Sequence, residues 1–271
     1  MPPDHNDEQP SGVIGAWQSH VKALRDIVQH NISTALIFED DIDWDIRLKS
    51  QLQNFAVASD AFLGSQDRAG DIPITLLPSR QHVPTMSPYG DGWDILWLGH
   101  CEQYILDEGP HIIQTDDPTA AAVKHNFFWD GFHPSDMKAY PDHSRAVFRS
   151  RQGVCSFAYA VSQKGAQKLL YQMSQNDFSA AYDLMLSKFC DGSQSEEKRG
   201  PRMCLSVLPT LFDTYLPRGD MHGDSEINGN VQGHRDQGWS PSIRWSVRVN
   251  MERLLEGGDV VDQWPDDRVR D

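Results

Sequence analysis

Several things are scarce in this sequence, and each scarcity narrows its class. No apolar run reaches the roughly 18 residues that a membrane-spanning helix needs. The opening MPPDHNDEQPSG also lacks the apolar stretch of a secretory signal. Positive charge is short: 24 Lys and Arg face 39 Asp and Glu, a formal charge of −15. Nucleic acid needs basic patches against its phosphates, so that partner is excluded, as is a general affinity for anionic membranes. An anionic small ligand is not excluded, because a divalent cation inverts the local field. The four cysteines (Cys101, Cys155, Cys190, Cys204) lie far apart with no CxxC pair. That is neither a zinc pattern nor a dense disulfide framework. Cys155 and Cys204 sit in apolar runs and read as buried free thiols. As written, the chain reads as cytoplasmic, with the secretory pathway as the alternative if its N-terminus is incomplete. The sequon Asn31-Ile32-Ser33 carries no weight without a secretion signal.

What is present is enough for one large folded domain. The chain has 271 residues, 39% of them hydrophobic, with eight Trp and eleven Phe. Residues 1–11 read as a disordered lead. Ile14, Trp17, Val21, Leu24 and Val28 recur at helical spacing and predict an amphipathic helix. TALIF (34–38) follows, a short apolar run that reads as a buried parallel strand. IRLKSQLQNFAVASDAFL predicts a second helix, residues 64–91 a long surface loop, and WDILWLG (93–99) another buried strand. Residues 102–150, rich in His, Asp and Pro, read as an irregular insertion or lid. GVCSFAYAVS predicts a strand, with Ser162 capping the helix QKGAQKLLYQM. SAAYDLMLSKFC predicts a helix, and CLSVLPTLFD a strand that runs out at Pro209. Strand and helix alternate, which indicates an α/β fold. The domain is expected to span 12–255, with a polar tail over 256–271.

The densest signal is acidic. Directly after TALIF stand Glu39, Asp40, Asp41, Asp43 and Asp45. Ligands of open α/β sheets gather at the carboxyl ends of strands. Glu39, Asp40 and Asp41 are therefore expected to converge there on a hard divalent cation shared with substrate phosphates. Asp43 and Asp45 read as acids that start the following helix, whose dipole favours them. An EF-hand loop beginning at Asp41 fails, because Ile46 and Leu52 stand where Gly and Glu are required. A haloacid dehalogenase-like phosphohydrolase, using Asp41-Ile42-Asp43, is an alternative. His20 borders the apolar stripe of the first helix and reads as a core or hydrogen-bonded histidine.

The ordered series GVIGAWQSHVKAL, ALIFEDD, WDILWLG, GVCSFAYAVSQKGAQKLL, YDLML and PTLF resembles glycosyltransferase family 25, the lipooligosaccharide and collagen galactosyltransferases. The longer stretches are most similar to its fungal members. The resemblance implies a GT-A architecture, a Rossmann-like sheet flanked by helices with one nucleotide-sugar site. It also implies a UDP-sugar donor, usually UDP-galactose, dependence on Mn²⁺ (or Mg²⁺), and transfer with inversion to a glycan or glycoprotein acceptor. On that likeness Asp41 is a metal ligand, Glu39 lies near the ribose or just behind the metal ligands, and Asp40 is shared between them. Asp183 is the catalytic base or an acceptor contact, and His222 is a further metal ligand. Family members usually open with an IYVINLDRR-like strand and helix. Nothing like it precedes Gly12, so the expectation is an N-terminally truncated version of that fold. A catalytically degenerate relative that acts as a binding protein is the other reading.

Overall fold

The computed structural model describes residues 10–76, 87–105, 109–126, 135–175, 180–192, 202–221 and 232–267. Its centre is WDILWLG, whose strand β4 (Ile95–Gly99) is buried at every position. Side chains on a strand alternate between faces. Ile95 and Trp97 accordingly join one apolar cluster, and Leu96 and Leu98 join another on the opposite face. The first cluster is closed by α1 (Ser11–Gln29), α3 (Gln163–Gln175) and α4 (Tyr182–Asp191), the second by α2 (Leu48–Leu63). Helices on both faces explain why β4 is apolar throughout rather than at alternate positions.

The sheet is mixed. β1 (Thr34–Phe38) pairs antiparallel with β7 (Ala158–Ser162), which pairs antiparallel with β4. β4 runs parallel to β8 (Cys204–Leu208); β6 (Arg145–Arg149) and β5 (Pro110–Gln114) continue antiparallel, and β3 (Gly70–Pro73) closes the path parallel to β5. A short pair, β2 (Ile42–Trp44) with β9 (Phe212–Thr214), joins the end of β4 where Gly99 meets Phe212. Gly99 is required there, since a Cβ would lie 2.8 Å from the Ala158 nitrogen and 2.9 Å from Phe212. A separate ribbon of β10 (Gly219–Asp220) and β11 (His234–Arg235) and a short helix, α5 (Met251–Glu256), complete the elements.

An α/β sheet flanked by helices is thus what the chain forms. Three expectations need correction. TALIF is an antiparallel strand with β7 as its one described neighbour. Leu36 and Phe38 on its outer face are 41% and 54% exposed. Residues 102–150 are no insertion, because they supply β5 and β6 to the sheet itself, and the 64–91 region supplies β3. Past residue 256 the chain still packs. Asn250 exchanges hydrogen bonds with the Val261 backbone at 2.7 and 3.0 Å, and Trp264, 7% exposed, stacks 5.8 Å from His125. The Ser162 cap forms as expected, with its hydroxyl accepting the Gly165 amide at 3.0 Å. No helix among the described residues is long and apolar enough to cross a membrane.

The most deeply buried ion pair among the described residues lies at the start of β6. The Arg145 guanidinium donates to Asp117 at 2.7 Å, and both side chains are almost wholly buried. Burial alone would raise the Asp117 pKa, but Arg145 and the Thr119 hydrogen bonds outweigh it and hold the carboxyl below 3.8. Replacing Asp117 with Ala leaves Arg145 buried without its counter-charge, which costs about 3 kcal/mol or more. A urea titration at pH 7 should show that loss as a lower midpoint. A depressed carboxylate stabilises above its unfolded value and loses that contribution as pH falls through its folded value. The gap between wild type and Asp117→Ala should therefore shrink in acid below about pH 4.

Candidate functional site

The acids expected to act together all fall at one end of the sheet, but the fold divides them. β1 ends at Phe38, and the Glu39 amide still follows the sheet by donating to the Phe157 carbonyl at 3.0 Å. The Glu39 side chain turns toward Ser156, whose hydroxyl donates to Oε1 at 2.8 Å, and toward His20 at 3.6 Å. His20 is a buried, hydrogen-bonded histidine of α1. Its Nδ1 lies 3.2 Å from the Tyr159 hydroxyl and its ring stacks on Tyr182 at 4.0 Å. Tyr159 and Tyr182 share a 2.6 Å hydrogen bond, so Glu39 rests at the rim of a buried aromatic network.

Asp40 is exposed, and its carbonyl accepts from Arg248. Asp41 keeps one exposed edge and accepts from the Thr214 hydroxyl at 3.1 Å. Its pKa is raised, first by the protein packed around its inner side and then by the charge on Glu39. The charge on Glu39 thus reaches Asp41, although their hydrogen bonds lead to different elements.

Asp43 and Asp45 correct the sequence reading. Both are fully buried, and α2 begins at Leu48 with no side-chain cap. Asp43 accepts from the hydroxyls of Ser240 and Ser246, the Arg248 amide at 3.1 Å and the Trp44 amide at 2.8 Å. Asp45 takes the Arg47 amide and guanidinium, and the Trp245 amide at 3.3 Å. Instead of starting a helix in solvent, these two carboxylates fasten residues 240–248 to β2. Sequence reasoning missed them because their partners lie some 200 positions further along the chain.

Asp183 stands in the first turn of α4, as expected. Its Oδ1 accepts the Leu184 amide at 2.8 Å, and its Oδ2 accepts the Cys155 amide at 2.9 Å. Glu39 and Asp183 thus hold neighbouring residues, Ser156 and Cys155, of one short segment. Neither cysteine expected to be a free thiol is one. Cys155 is bonded to Cys101 and Cys204 to Cys190, leaving no free cysteine. The apolar context of Cys155 and Cys204 signalled burial but carried no information about a partner 54 or 14 positions away.

Searches of protein-family models, curated proteins and solved structures return no match. The chemistry of the site therefore has to be read from its own groups.

Among the described residues no three His, Cys, Asp or Glu side chains stand together as a ready-made metal cage. Magnesium-like cations rarely need one, being held by one or two carboxylates plus substrate phosphates. Glu39 and Asp41 can supply those two. His222 lies outside the described residues.

On the other side of β9 is a small cavity of about 20 Å³, room for one water-sized group, bordered by His100, Glu102, Thr210 and Asp213. His100 donates from Nε2 to the Val207 carbonyl at 3.0 Å, and burial lowers its pKa to about 4. Asp213 is the like-charged partner of Asp43 across the β2–β9 pair. Burial first, with Asp43 adding to it, raises its pKa well above 3.8, against the hydrogen bonds from Thr214 and Ser242. A raised carboxyl leaves the native state unpenalised below the unfolded pKa and loses stability as pH rises through its folded value. Asp213→Asn, which never ionises, should therefore be more stable than wild type at pH 7. The difference should close as pH falls toward 4, as read by thermal melts across that range.

Proposed function

We propose that the chain is a metal-dependent glycosyltransferase that moves a hexose, galactose first among candidates, from a UDP-sugar to an acceptor hydroxyl. One observation carries the reading. Glu39 and Asp41 both follow the carboxyl end of β1, where the charge on Glu39 adds to burial in raising the Asp41 pKa. A site that holds mutually repelling acids at a sheet end is stabilised by a cation. In an open α/β sheet that is also where a nucleotide diphosphate would lie. The series of segments similar to glycosyltransferase family 25 supports the same reading and the GT-A form of the sheet.

In this reading Asp41 holds Mn²⁺ or Mg²⁺ and Glu39 joins it, rather than lying at the ribose as the family likeness implies, with Asp40 at the exposed edge. The ion would neutralise charge that builds on the departing UDP. Glu39 is kept in place by Ser156, and Asp41 by Thr214. Asp183 is the base: it takes the proton of the acceptor hydroxyl as that oxygen bonds to the anomeric carbon from the face opposite UDP. Two amide donors keep its carboxylate oriented and leave further lone pairs for that proton.

The phosphohydrolase alternative needs Asp43 as a free acid at the strand end. Asp43 is instead enclosed by Ser240, Ser246 and two backbone amides, so we do not retain it. The second reading is a non-catalytic binding protein, favoured by the exposed Leu36 and Phe38 on β1.

Calorimetric titration of UDP into the chain, with and without Mn²⁺, separates the two. Saturable binding that requires the metal is the expected result, with Asp41→Ala weakening it by at least about tenfold, the loss of one charge-assisted ligand contact. A folded chain that does not bind UDP in Mn²⁺ would rule out the transferase and leave the binding protein.

A further inference from the structure

Two arms of the candidate site, Glu39 just after β1 and Asp183 from α4, come from distant parts of the chain and meet at residues 155 and 156. What fixes those two residues is itself unusual. Cys155 has φ +64°, a left-handed conformation that a residue with a Cβ rarely adopts unless its surroundings impose it. Its carbonyl accepts the Trp97 indole N–H at 3.0 Å, its amide points at Asp183, and its sulfur is bonded to Cys101. Cys101 follows the end of β4 by two residues. Its amide donates to the Val154 carbonyl at 2.9 Å, and Val154 donates back to Glu102 at 3.2 Å. The segment 154–156 is therefore a strap, hung from β4 and the residues just after it by one disulfide, one isolated bridge and the Trp97 indole hydrogen bond. Glu39 and Asp183 are fastened to that strap.

We propose that the Cys101–Cys155 disulfide is the positioning element of this site. Oxidised, it holds the Cys155 amide on Asp183 and the Ser156 hydroxyl on Glu39; reduced, it releases both acids from their common support. The inference rests on the transferase reading for its consequence in binding, but its geometric part stands without it. A chain built this way has its site assembled where disulfides persist, in an oxidising compartment rather than the reducing cytosol.

The two disulfides differ in accessibility. Cys101 and Cys155 are only partly buried, whereas Cys190 and Cys204 are each 1% exposed. A dithiol reductant should reach the first pair before the second. One of its thiolates attacks a sulfur of the Cys101–Cys155 bond, and its second thiol closes on the first. Two electrons pass to the protein, each cysteine leaves as a thiol with one proton, and the reductant becomes a cyclic disulfide.

The test uses the full chain under native conditions with graded dithiothreitol. Alkylation and peptide mass mapping identify which pair has opened at each step. Amide hydrogen exchange is read over 154–156 and over β4 and α1, and UDP affinity in Mn²⁺ is measured on the same samples. The expected result is that opening Cys101–Cys155 alone speeds exchange at 154–156 by tenfold or more, leaves β4 and α1 protected, and weakens UDP binding by about the same factor. Cys101→Ser should reproduce it without reductant, and Cys190→Ser should leave 154–156 protected. Unchanged exchange at 154–156 after the first pair opens would overturn the proposal, because the Glu102–Val154 bridge and the Trp97 hydrogen bond would then hold the strap without the disulfide. If exchange speeds up but the oxidised chain never bound UDP, the positioning role stands and the transferase reading falls.

Discussion

Negative charge crowded at one end of the sheet is the constraint to which much of the rest answers. β2 and β9 set Asp43 directly across from Asp213, and like charges opposite each other in an antiparallel pair are destabilising. Both are buried, so solvent cannot screen them. Three different remedies appear within a few residues. Asp43 is surrounded by two serine hydroxyls and two backbone amides. Asp213 is pushed toward its protonated form. Asp41, at the rim, keeps an exposed edge facing outward, where a cation would provide the third. In the proposed reading only the rim acid retains a remedy that depends on a ligand, which would separate it from the two structural acids.

The same constraint explains why the C-terminal segment folds where it does. The chain over 239–267 has no long apolar stripe, and α5 buries none of its residues. It is held by polar contacts instead. Ser240 and Ser246 bond Asp43, and the Trp245 amide bonds Asp45 while its ring lies 3.5 Å from Arg47. Gln263 and Trp264 close over Ser240 through three hydrogen bonds to its backbone. Buried polar groups require such partners because each one left unsatisfied costs a desolvation penalty. A segment that looks patternless can thus be well ordered when its partners are acids elsewhere in the chain.

Much of the fold was legible because its rules are local. The stripe on α1 predicted the burial of Trp17, Val21 and Leu24, and the Ser162 cap and the two-sided burial of WDILWLG follow from residues within one element. What stayed illegible is non-local. TALIF has the composition of a buried strand, but composition does not say which edge of the sheet remains open or whether a neighbour runs parallel. β5 and β6 were obscured by His, Arg and Pro, which the strands tolerate because Arg145 finds Asp117 and His111 finds Asp71 across the sheet. The acidic cluster was legible as a cluster, and its first and third members stand just past the end of β1 on separate hydrogen-bond partners. Its fourth and fifth members were misread, since five adjacent carboxylates give no local sign of which will be buried.

Asp183 illustrates how one residue serves structure and chemistry together. An acid in the first turn of a helix is favourable for the dipole alone, and nothing more is needed to explain its presence there. An acid with only that role, however, has no reason to reach a second segment. Asp183 spends one oxygen on its own helix and the other on the Cys155 amide, across 28 positions of chain. Cys155 holds its left-handed backbone between a disulfide, an indole donor and this carboxylate. Such strain persists only where the surroundings over-determine it, and it clusters at functional sites. Cys155 lies between Glu39 and Asp183, the acids proposed to hold the metal and to act as the base, so one of the left-handed non-glycine points of the backbone stands beside the proposed chemistry.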